Sequence, residues 1–230
     1  MNYIFTTISY GDQYHKMTYD LAEDMARIDK QFLIFTDNPS YFSKLDNVLI
    51  LDYAPHPSNE GKISGYDKDR IAKRVFEVSD CMWYIDSDWR LKKNPEDVAY
   101  LDNISIEDGL TSAQGPMGKI HSSGYPRSCI EWAREKYGIT SPLHYGEACY
   151  AIKNGPDVDE YLRILLEFGK MSDQIEITRK VPRFISKSSG VSFGYAQQAS
   201  GFQRNSNRRM RKAFYSNFEH LLVTTNGHIK

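Results

Sequence analysis

Several features that define large protein classes are missing from this chain. No apolar run approaches the roughly 20 residues of a membrane span, and the first residues lack the basic and long apolar regions of a signal peptide. Cys81, Cys129 and Cys149 form no C-x-x-C pair, so we expect reduced core thiols and neither a disulfide frame nor a zinc site. Together these absences predict a cytoplasmic protein.

Two common nucleotide-binding motifs are also missing. The chain contains no G-x-x-x-x-G-K-[ST] segment, and no G-x-G-x-x-G follows its first predicted strand. These absences argue against a P-loop NTPase and against a dinucleotide-dependent dehydrogenase. A formal net charge of -1 argues against wholesale electrostatic attachment to nucleic acid or to acidic membranes.

Apolar periodicity alternates between strand and helix along the 230 residues, a length that can bury one sizeable core. The predicted strands cover residues 3–8, 31–36, 48–51, 81–85, 109–114, 148–152 and 221–225. The predicted helices cover residues 14–28, 67–78, 125–137 and 158–168. This alternation predicts an α/β fold with a mostly parallel central sheet and helices on both faces.

The most informative segment is Cys81–Trp89, where five large apolar residues end abruptly in two carboxylates. The apolar run is typical of a strand that is buried on both faces. Side chains two apart on an extended chain point to the same side, so we expect Asp86 and Asp88 to converge. Two like charges there repel each other and lose hydration. A hard divalent cation, Mg²⁺ or Mn²⁺, would offset both costs.

The bare pattern Asp-x-Asp carries little information, because it occurs three times. Asp67-Lys68-Asp69 and Asp157-Val158-Asp159 stand at the starts of predicted helices, where acidic residues complement the helix dipole. Only Asp86-Ser87-Asp88 follows a core strand and faces the carboxyl end of the sheet, where open α/β folds bind ligands. We therefore assign the metal site to the middle copy.

With this order of elements, residues 3–175 resemble the nucleotide-sugar-dependent glycosyltransferases of the GT-A fold. The most specific part is the segment 67–89, in which a helix with basic residues leads into the Asp-x-Asp strand. Within that fold the chain looks most like the blood-group A/B and α-1,3-galactosyltransferase family. That family has a Phe-Ala-Ile strand with a Tyr five residues after the Phe, and Phe5, Thr6, Thr7 and Tyr10 have this spacing without matching the Ala and Ile. Glycogenin-like transferases are second.

The resemblance implies a single GT-A-type domain over residues 1–200, with a nucleotide-binding half at 1–90 and an acceptor half at 91–200. It implies that Phe5, Thr6, Thr7 and Tyr10 cradle the nucleotide of a UDP-sugar.

The same resemblance implies roles for the charged residues. Asp88 would ligate the cation, and Asp86 would reach the ribose, or the ion through water. Arg70 or Lys73 would stabilise the diphosphate, and a solvated helix face is the alternative explanation for both.

Two further acids are candidates for catalysis. Glu147 precedes the strand at 148–152, and the comparable GT-A segment lines the cleft for the donor sugar and the acceptor. Glu147 would bond sugar hydroxyls or act as a base, and a surface charge at a strand start is the competing interpretation. Asp173, which resembles part of the Asp-Gln pair of glycogenin-like enzymes, would stand behind the anomeric carbon. The competing interpretation is an ordinary first-turn acid after the helix cap Ser172.

A basic segment occupies residues 201–230. Five of its cationic residues are concentrated in nine positions: Arg204, Arg208, Arg209, Arg211 and Lys212. Arginine forks suit phosphate, so the segment is a candidate for closing over the diphosphate. Contact with a nucleic-acid acceptor and a plain solvated helix are the other two interpretations.

The leading hypothesis is a metal-dependent glycosyltransferase that moves a sugar from a nucleotide-diphosphate sugar to a hydroxyl acceptor such as a glycan. The resemblance favours retention of anomeric configuration. A metal-dependent nucleotidyltransferase or nuclease is an alternative, although two-metal sites usually need a third or fourth carboxylate. A non-catalytic nucleotide-sugar or glycan-binding protein is the other.

Overall fold

The structure is a computed structural model. It describes residues 3–54, 65–95, 110–112, 116–119, 127–139, 143–145, 149–167, 200, 204–206 and 208–221. The strands are β1 (Tyr3–Ser9), β2 (Phe32–Thr36), β3 (Val48–Asp52), β4 (Cys81–Ile85), β5 (Trp89–Leu91), β6 (Leu110–Ser112), β7 (Pro116–Lys119), β8 (Leu143–Tyr145), β9 (Cys149–Lys153), β10 (Arg204–Ser206) and β11 (Phe218–His220). The helices are α1 (Asp12–Arg27), α2 (Gly65–Arg70), α3 (Ala72–Val75), α4 (Arg127–Tyr137), α5 (residues 158–167) and α6 (Arg208–Asn217), with a 3₁₀ turn at Pro39–Phe42.

The fold is α/β with a mostly parallel central sheet, as predicted. In the described residues the strand order of that sheet is β10-β6-β9-β4-β1-β2-β3. The pairs β1–β2, β2–β3, β1–β4 and β10–β6 are parallel, and β9 runs antiparallel to both of its neighbours. Two small antiparallel ribbons, β5–β11 and β7–β8, complete the strand pairing that the structure describes.

Helices cover both faces of the sheet. Successive side chains of a strand point to opposite sides, so the apolar strands present hydrophobic side chains on both faces. Ile4, Leu33 and Met82 face one hydrophobic cluster, which α3 and α5 complete with residues such as Val75 and Leu165. The neighbouring positions of the same strands face a second cluster, which α1 and α6 complete. Its members include Phe5, Ile34, Trp83, Leu21 and Phe214.

Most of the predicted elements are confirmed. The four strands predicted at residues 3–8, 31–36, 48–51 and 81–85 differ from the observed strands by at most one residue at each end. All five residues of β4 are buried, as expected for a strand covered on both faces. Helix α4 ends as predicted at Gly138, whose φ of 68° is readily adopted by glycine.

Two predicted elements need correction. The helix predicted over residues 67–78 is two short helices, α2 and α3, although the Ile71 N–H to Asp67 and Val75 N–H to Ile71 bonds carry the helical pattern across the break. The last strand was predicted at 221–225. The observed β11 ends at His220, Leu221 lies outside it, and residues 222–225 are outside the described chain.

The predicted core cysteines can be checked at two positions. Cys81 and Cys149 are free thiols with no exposed surface, and Trp83 Nε1 donates a hydrogen bond to Cys149 Sγ over 3.0 Å. Burial raises the pKa of Cys81 to about 12, so its thiol stays protonated and unreactive at neutral pH. Among the helices that the structure describes, none has the length and apolar character needed to cross a bilayer.

A buried carboxylate fastens α1 to the strand that follows Asp86-Ser87-Asp88. Asp24 on α1 accepts hydrogen bonds from Arg90 Nε at 2.6 Å and from the Leu91 backbone N–H at 3.0 Å. Arg27 Nη1 lies 2.9 Å from the other oxygen of Asp24, Oδ1. The Asp24 side chain is only 3 % exposed, so these donors replace the water it has lost.

We expect Asp24→Ala to lower the free energy of unfolding by about 2–3 kcal/mol, because it leaves a buried backbone N–H without an acceptor and Arg90 without its main partner. Asp20→Ala is the matched control. Asp20 lies 3.2 Å from the same guanidinium but is 30 % exposed, and its loss should cost no more than about 1 kcal/mol. Both changes introduce alanine into α1, so helix propensity cancels between them. Urea unfolding measures the difference, and equal costs would contradict the anchoring role of Asp24.

Candidate functional site

A cavity of about 730 Å³ opens at the carboxyl ends of β1 and β4. Its lining combines the end of β1, the first turn of α1, one residue of α2 and the end of β4. The lining residues are Ile8, Tyr10, Gly11, Asp12, Gln13, Tyr14, Lys68, Tyr84, Asp86, Ser87 and Asp88.

The cavity lies at the point where the strand order reverses. From β1 the chain continues to β2 and β3 on one side, whereas β4 pairs with the other side of β1. In open α/β sheets, ligands bind in the crevice outside the carboxyl ends of the strands at such a switch point. Asp86 and Asp88, the two carboxylates singled out in the sequence, therefore lie at the position where open α/β sheets commonly bind ligands.

Asp86 follows the last residue of β4 and pairs with a lysine. Lys68 Nζ donates to Asp86 Oδ1 over 2.6 Å, and the same ammonium lies 5.1 Å from the centre of the Tyr84 ring. The Lys68 side chain is 16 % exposed and that of Asp86 is 27 % exposed. Burial raises the pKa of Tyr84 well above its ordinary value, and the charge of Asp86 adds to the shift, so Tyr84 stays neutral.

Asp88 stands in a turn and meets a histidine from the far end of the chain. His220 Nε2 lies 3.0 Å from Asp88 Oδ2. The other carboxylate oxygen, Oδ1, is buried and has no hydrogen-bond partner among the described residues. Burial, together with the negative charge of Asp86, raises the pKa of Asp88 above its usual value, and His220 opposes this rise. The carboxylate thus has unused capacity to bind a positive group.

The turn is closed by a short antiparallel ribbon. His220 is opposite Trp89 in the β5–β11 pairing, and the Leu221 N–H donates to the Asp88 carbonyl oxygen over 2.8 Å. Phe214 and Phe218 anchor the ribbon, since both are buried in the cluster that contains Trp89. Residues more than 120 positions beyond the Asp-x-Asp segment therefore hold it in place.

The loop between β1 and α1 forms the opposite wall. Gly11 adopts φ 83°, and its N–H donates to both oxygens of Asp37 at 3.2 and 3.3 Å. His15, 2 % exposed, holds the same carboxylate, with Nε2 2.9 Å from Asp37 Oδ1. Asp12 and Gln13 follow in the first turn of α1, where backbone N–H groups have no partner inside the helix and favour anions.

The four residues assigned to the nucleotide by resemblance have different surroundings. Tyr10 lines the cavity. Phe5 is 1 % exposed and its ring centroid lies 4.9 Å from that of Trp83, in the core. Thr6 and Thr7 have no exposed surface, and the Thr6 hydroxyl donates to the Leu33 carbonyl oxygen. Of the four, Tyr10 is the one whose side chain can touch a ligand in this arrangement.

The cations assigned to the diphosphate lie outside the cavity lining. Arg70 NH1 is 3.7 Å from Asp67 Oδ1, and Lys73 Nζ is 2.8 Å from Asp159 Oδ1 on an exposed surface. Glu147 and Asp173 fall outside the described residues. Of the basic C-terminal cluster, Arg211 and Lys212 are exposed on α6.

Sequence reasoning missed two residues of the site. Lys68 lies within Asp67-Lys68-Asp69, which the sequence explains as a helix start, and the signal that could have revealed it is a cation on the helix that leads into the Asp86-Ser87-Asp88 strand. His220 belongs to a strand of three residues, too short to show periodicity. Within the described part of the chain, no group of three or more His, Cys, Asp or Glu side chains forms a ready metal-binding cluster.

No protein-family model matches the chain, and no curated protein matches it significantly.

The helix that carries Lys68 is positioned by a second buried carboxylate. The Tyr53 hydroxyl donates to Asp67 Oδ1 over 2.6 Å, and Asp67 has no exposed surface. Burial raises the pKa of Tyr53, and the charge of Asp67 raises it further. This bond connects the chain after β3 to the start of α2, one residue before Lys68.

Tyr53→Phe should lower the free energy of unfolding by about 1–3 kcal/mol, because a carboxylate without exposed surface loses a donor. Tyr137→Phe removes a comparable 2.5 Å bond to Glu167, whose side chain is 27 % exposed and can recruit water. That control should cost under about 1 kcal/mol. Thermal and urea unfolding of both variants test this, and a neutral Tyr53→Phe would show that Asp67 does not depend on the bond.

Proposed function

We propose that the protein is a metal-dependent glycosyltransferase of the GT-A type. It would transfer a sugar from a nucleotide-diphosphate sugar, with a UDP-sugar favoured, to a hydroxyl acceptor such as a glycan. Retention of anomeric configuration is the family-based expectation. The observation that carries the proposal is the position of Asp86 and Asp88 on one cavity at the sheet's switch point, with His220 beside Asp88.

The residues present fit a divalent cation. Asp88 Oδ1 is buried without a hydrogen-bond partner in the described chain, and His220 brings an imidazole nitrogen to 3.0 Å from the other oxygen, Oδ2. Carboxylate oxygens suit Mn²⁺ and Mg²⁺, and ions of this kind are commonly held by one or two carboxylates plus substrate phosphates. Asp86, Asp88 and His220 are the proposed protein ligands. As they stand they form no ready cluster of three in the described chain, because Asp86 is paired with Lys68 and His220 with Asp88, so a cation would displace both pairings. A bound Mn²⁺ or Mg²⁺ would act as a Lewis acid that stabilises the departing diphosphate.

The charge of the cavity supports the need for such an ion. Among the described residues, the carboxylates of Asp12, Asp86 and Asp88 line it, against the one lysine Lys68. A nucleoside diphosphate would add further negative charge, so added positive charge is required for tight binding. Lys68 and the first-turn N–H groups of α1 are the proposed contacts of the phosphate oxygens.

Two tyrosines give the cavity surfaces for flat rings. Tyr10 and Tyr14 both line it, and Tyr14 is 41 % exposed although aromatic. Aromatic faces stack on nucleobases and on sugar rings, and the polar groups at the edge of the ligand ring stay free to form hydrogen bonds. We assign Tyr10 to the base, as the resemblance implies, and Tyr14 to the rim of the ring site.

UDP with Mn²⁺ should raise the melting temperature of the wild type by roughly 5–10 °C at about one hundred times Kd. Asp88→Asn and His220→Ala should each lose the part of this shift that depends on Mn²⁺, because each removes a proposed ligand. Asp159→Asn is the control: it alters an exposed acid of another Asp-x-Asp copy and should leave the shift unchanged. Identical melts with and without Mn²⁺ in the folded wild type would contradict the proposed cation site.

A panel of nucleotide sugars incubated with Mn²⁺ tests the chemistry without knowledge of the acceptor. Water replaces the acceptor, so the products are the free sugar and the nucleoside diphosphate. We expect slow release of diphosphate from one UDP-sugar, and at least a hundredfold less with Asp88→Asn. Ligand-dependent stabilisation without turnover on any donor or glycan would instead favour a non-catalytic nucleotide-sugar-binding protein.

A further inference from the structure

The ammonium of Lys68 occupies the position beside Asp86 that a cation would use. Its Nζ lies 2.6 Å from Asp86 Oδ1, above the Tyr84 ring, and only 16 % of its side chain is exposed. The ammonium offsets the charge of the carboxylate that holds it, so Asp86 attracts a second cation less than an unpaired carboxylate would. Any second cation that approaches Asp86 therefore meets both a repelling charge and an oxygen already in use.

We propose that Lys68 is an internal counter-ion that competes with the divalent cation for Asp86. The cation then binds weakly to the free protein and tightly once a diphosphate has drawn Lys68 away. The inference rests on the cation site of the proposed function and adds the order in which that site fills. It makes Lys68 the residue that couples metal binding to donor binding.

The geometry allows the side chain to exchange partners while its helix stays in place. Asp67, the preceding residue, is bonded to Tyr53 and fixes the start of α2. The lysine stem is flexible, and Lys68 already lines the cavity in which the diphosphate would lie. A phosphate oxygen offers the ammonium a charged acceptor equivalent to the carboxylate it leaves. Asp86 is then free to face the cation.

The sign of the effect follows from charge alone. An opposite charge within about 4–6 Å shifts the equilibrium of an ionisable group by 1–3 pKa units, and a like charge shifts it the other way. A cation bound at Asp86 experiences Lys68 as the like charge. Removing that charge should strengthen the binding of Mn²⁺ alone, even though the substitution removes a polar residue from the site.

The experiment measures Mn²⁺ affinity by calorimetry, with and without UDP, for the wild type and three variants. Lys68→Met keeps the apolar stem over Tyr84 and removes the charge. It should bind Mn²⁺ alone about tenfold more tightly than the wild type, and UDP should improve that affinity less than in the wild type. Lys68→Arg keeps the charge and should resemble the wild type. Lys73→Met is the matched control, since Lys73 pairs with Asp159 away from the cavity.

Unchanged or weaker Mn²⁺ binding in Lys68→Met would overturn the competition while leaving the cation site intact. Absence of Mn²⁺ binding in the wild type and in every variant, with and without UDP, would remove the cation site and this inference with it. Thermal melts verify that each variant is folded, and Lys68→Gln replaces Lys68→Met if the latter is not.

Discussion

The negative charges of two carboxylates at the end of a buried strand must be compensated, and the site is organised around this electrostatic constraint. Asp86 and Asp88 stand just after β4, where burial and the charge of Asp86 raise the pKa of Asp88. Lys68 compensates one from α2, and His220 compensates the other from β11. A ligand of the proposed kind would have to satisfy the same two acids. The stability of the ligand-free fold and the affinity for such a ligand would therefore depend on the same charged side chains.

Three further carboxylates, of which Asp67 and Asp24 are buried, hold the walls of the cavity. Asp37 fixes the loop between β1 and α1, Asp67 fixes the start of α2, and Asp24 fixes α1 to β5. Each accepts hydrogen bonds from donors on a different element, so each joins segments that are distant in sequence. A buried donor or acceptor that loses its partner costs free energy, and this cost favours a single arrangement of the loops. A rigid frame of this type suits the proposed exchange, in which only the Lys68 side chain would move.

The elements that could be predicted from sequence are those with a clear local pattern of apolar residues. The four parallel strands β1 to β4 and the location of the Asp pair followed from apolar runs and their abrupt ends. Lys68 and His220 could not be found in this way, because their pairing depends on contacts across 18 and 132 positions. Strands β5 and β11 have three residues each, fewer than an alternation pattern needs. The buried places of Phe5, Thr6 and Thr7 likewise depend on which helix covers β1.

The pairing of β11 with β5 has a consequence for biosynthesis. His220 leaves the ribosome 132 residues after Asp88, which at typical rates of about 5–20 residues per second is a delay on the order of ten seconds. During that interval the nascent sheet β1–β4 can assemble, but the turn after it lacks its closing strand and Trp89 lacks its cover of Phe214. The growing polypeptide thus passes through a stage in which the pocket is unfinished and the Trp89 ring lacks its aromatic cover.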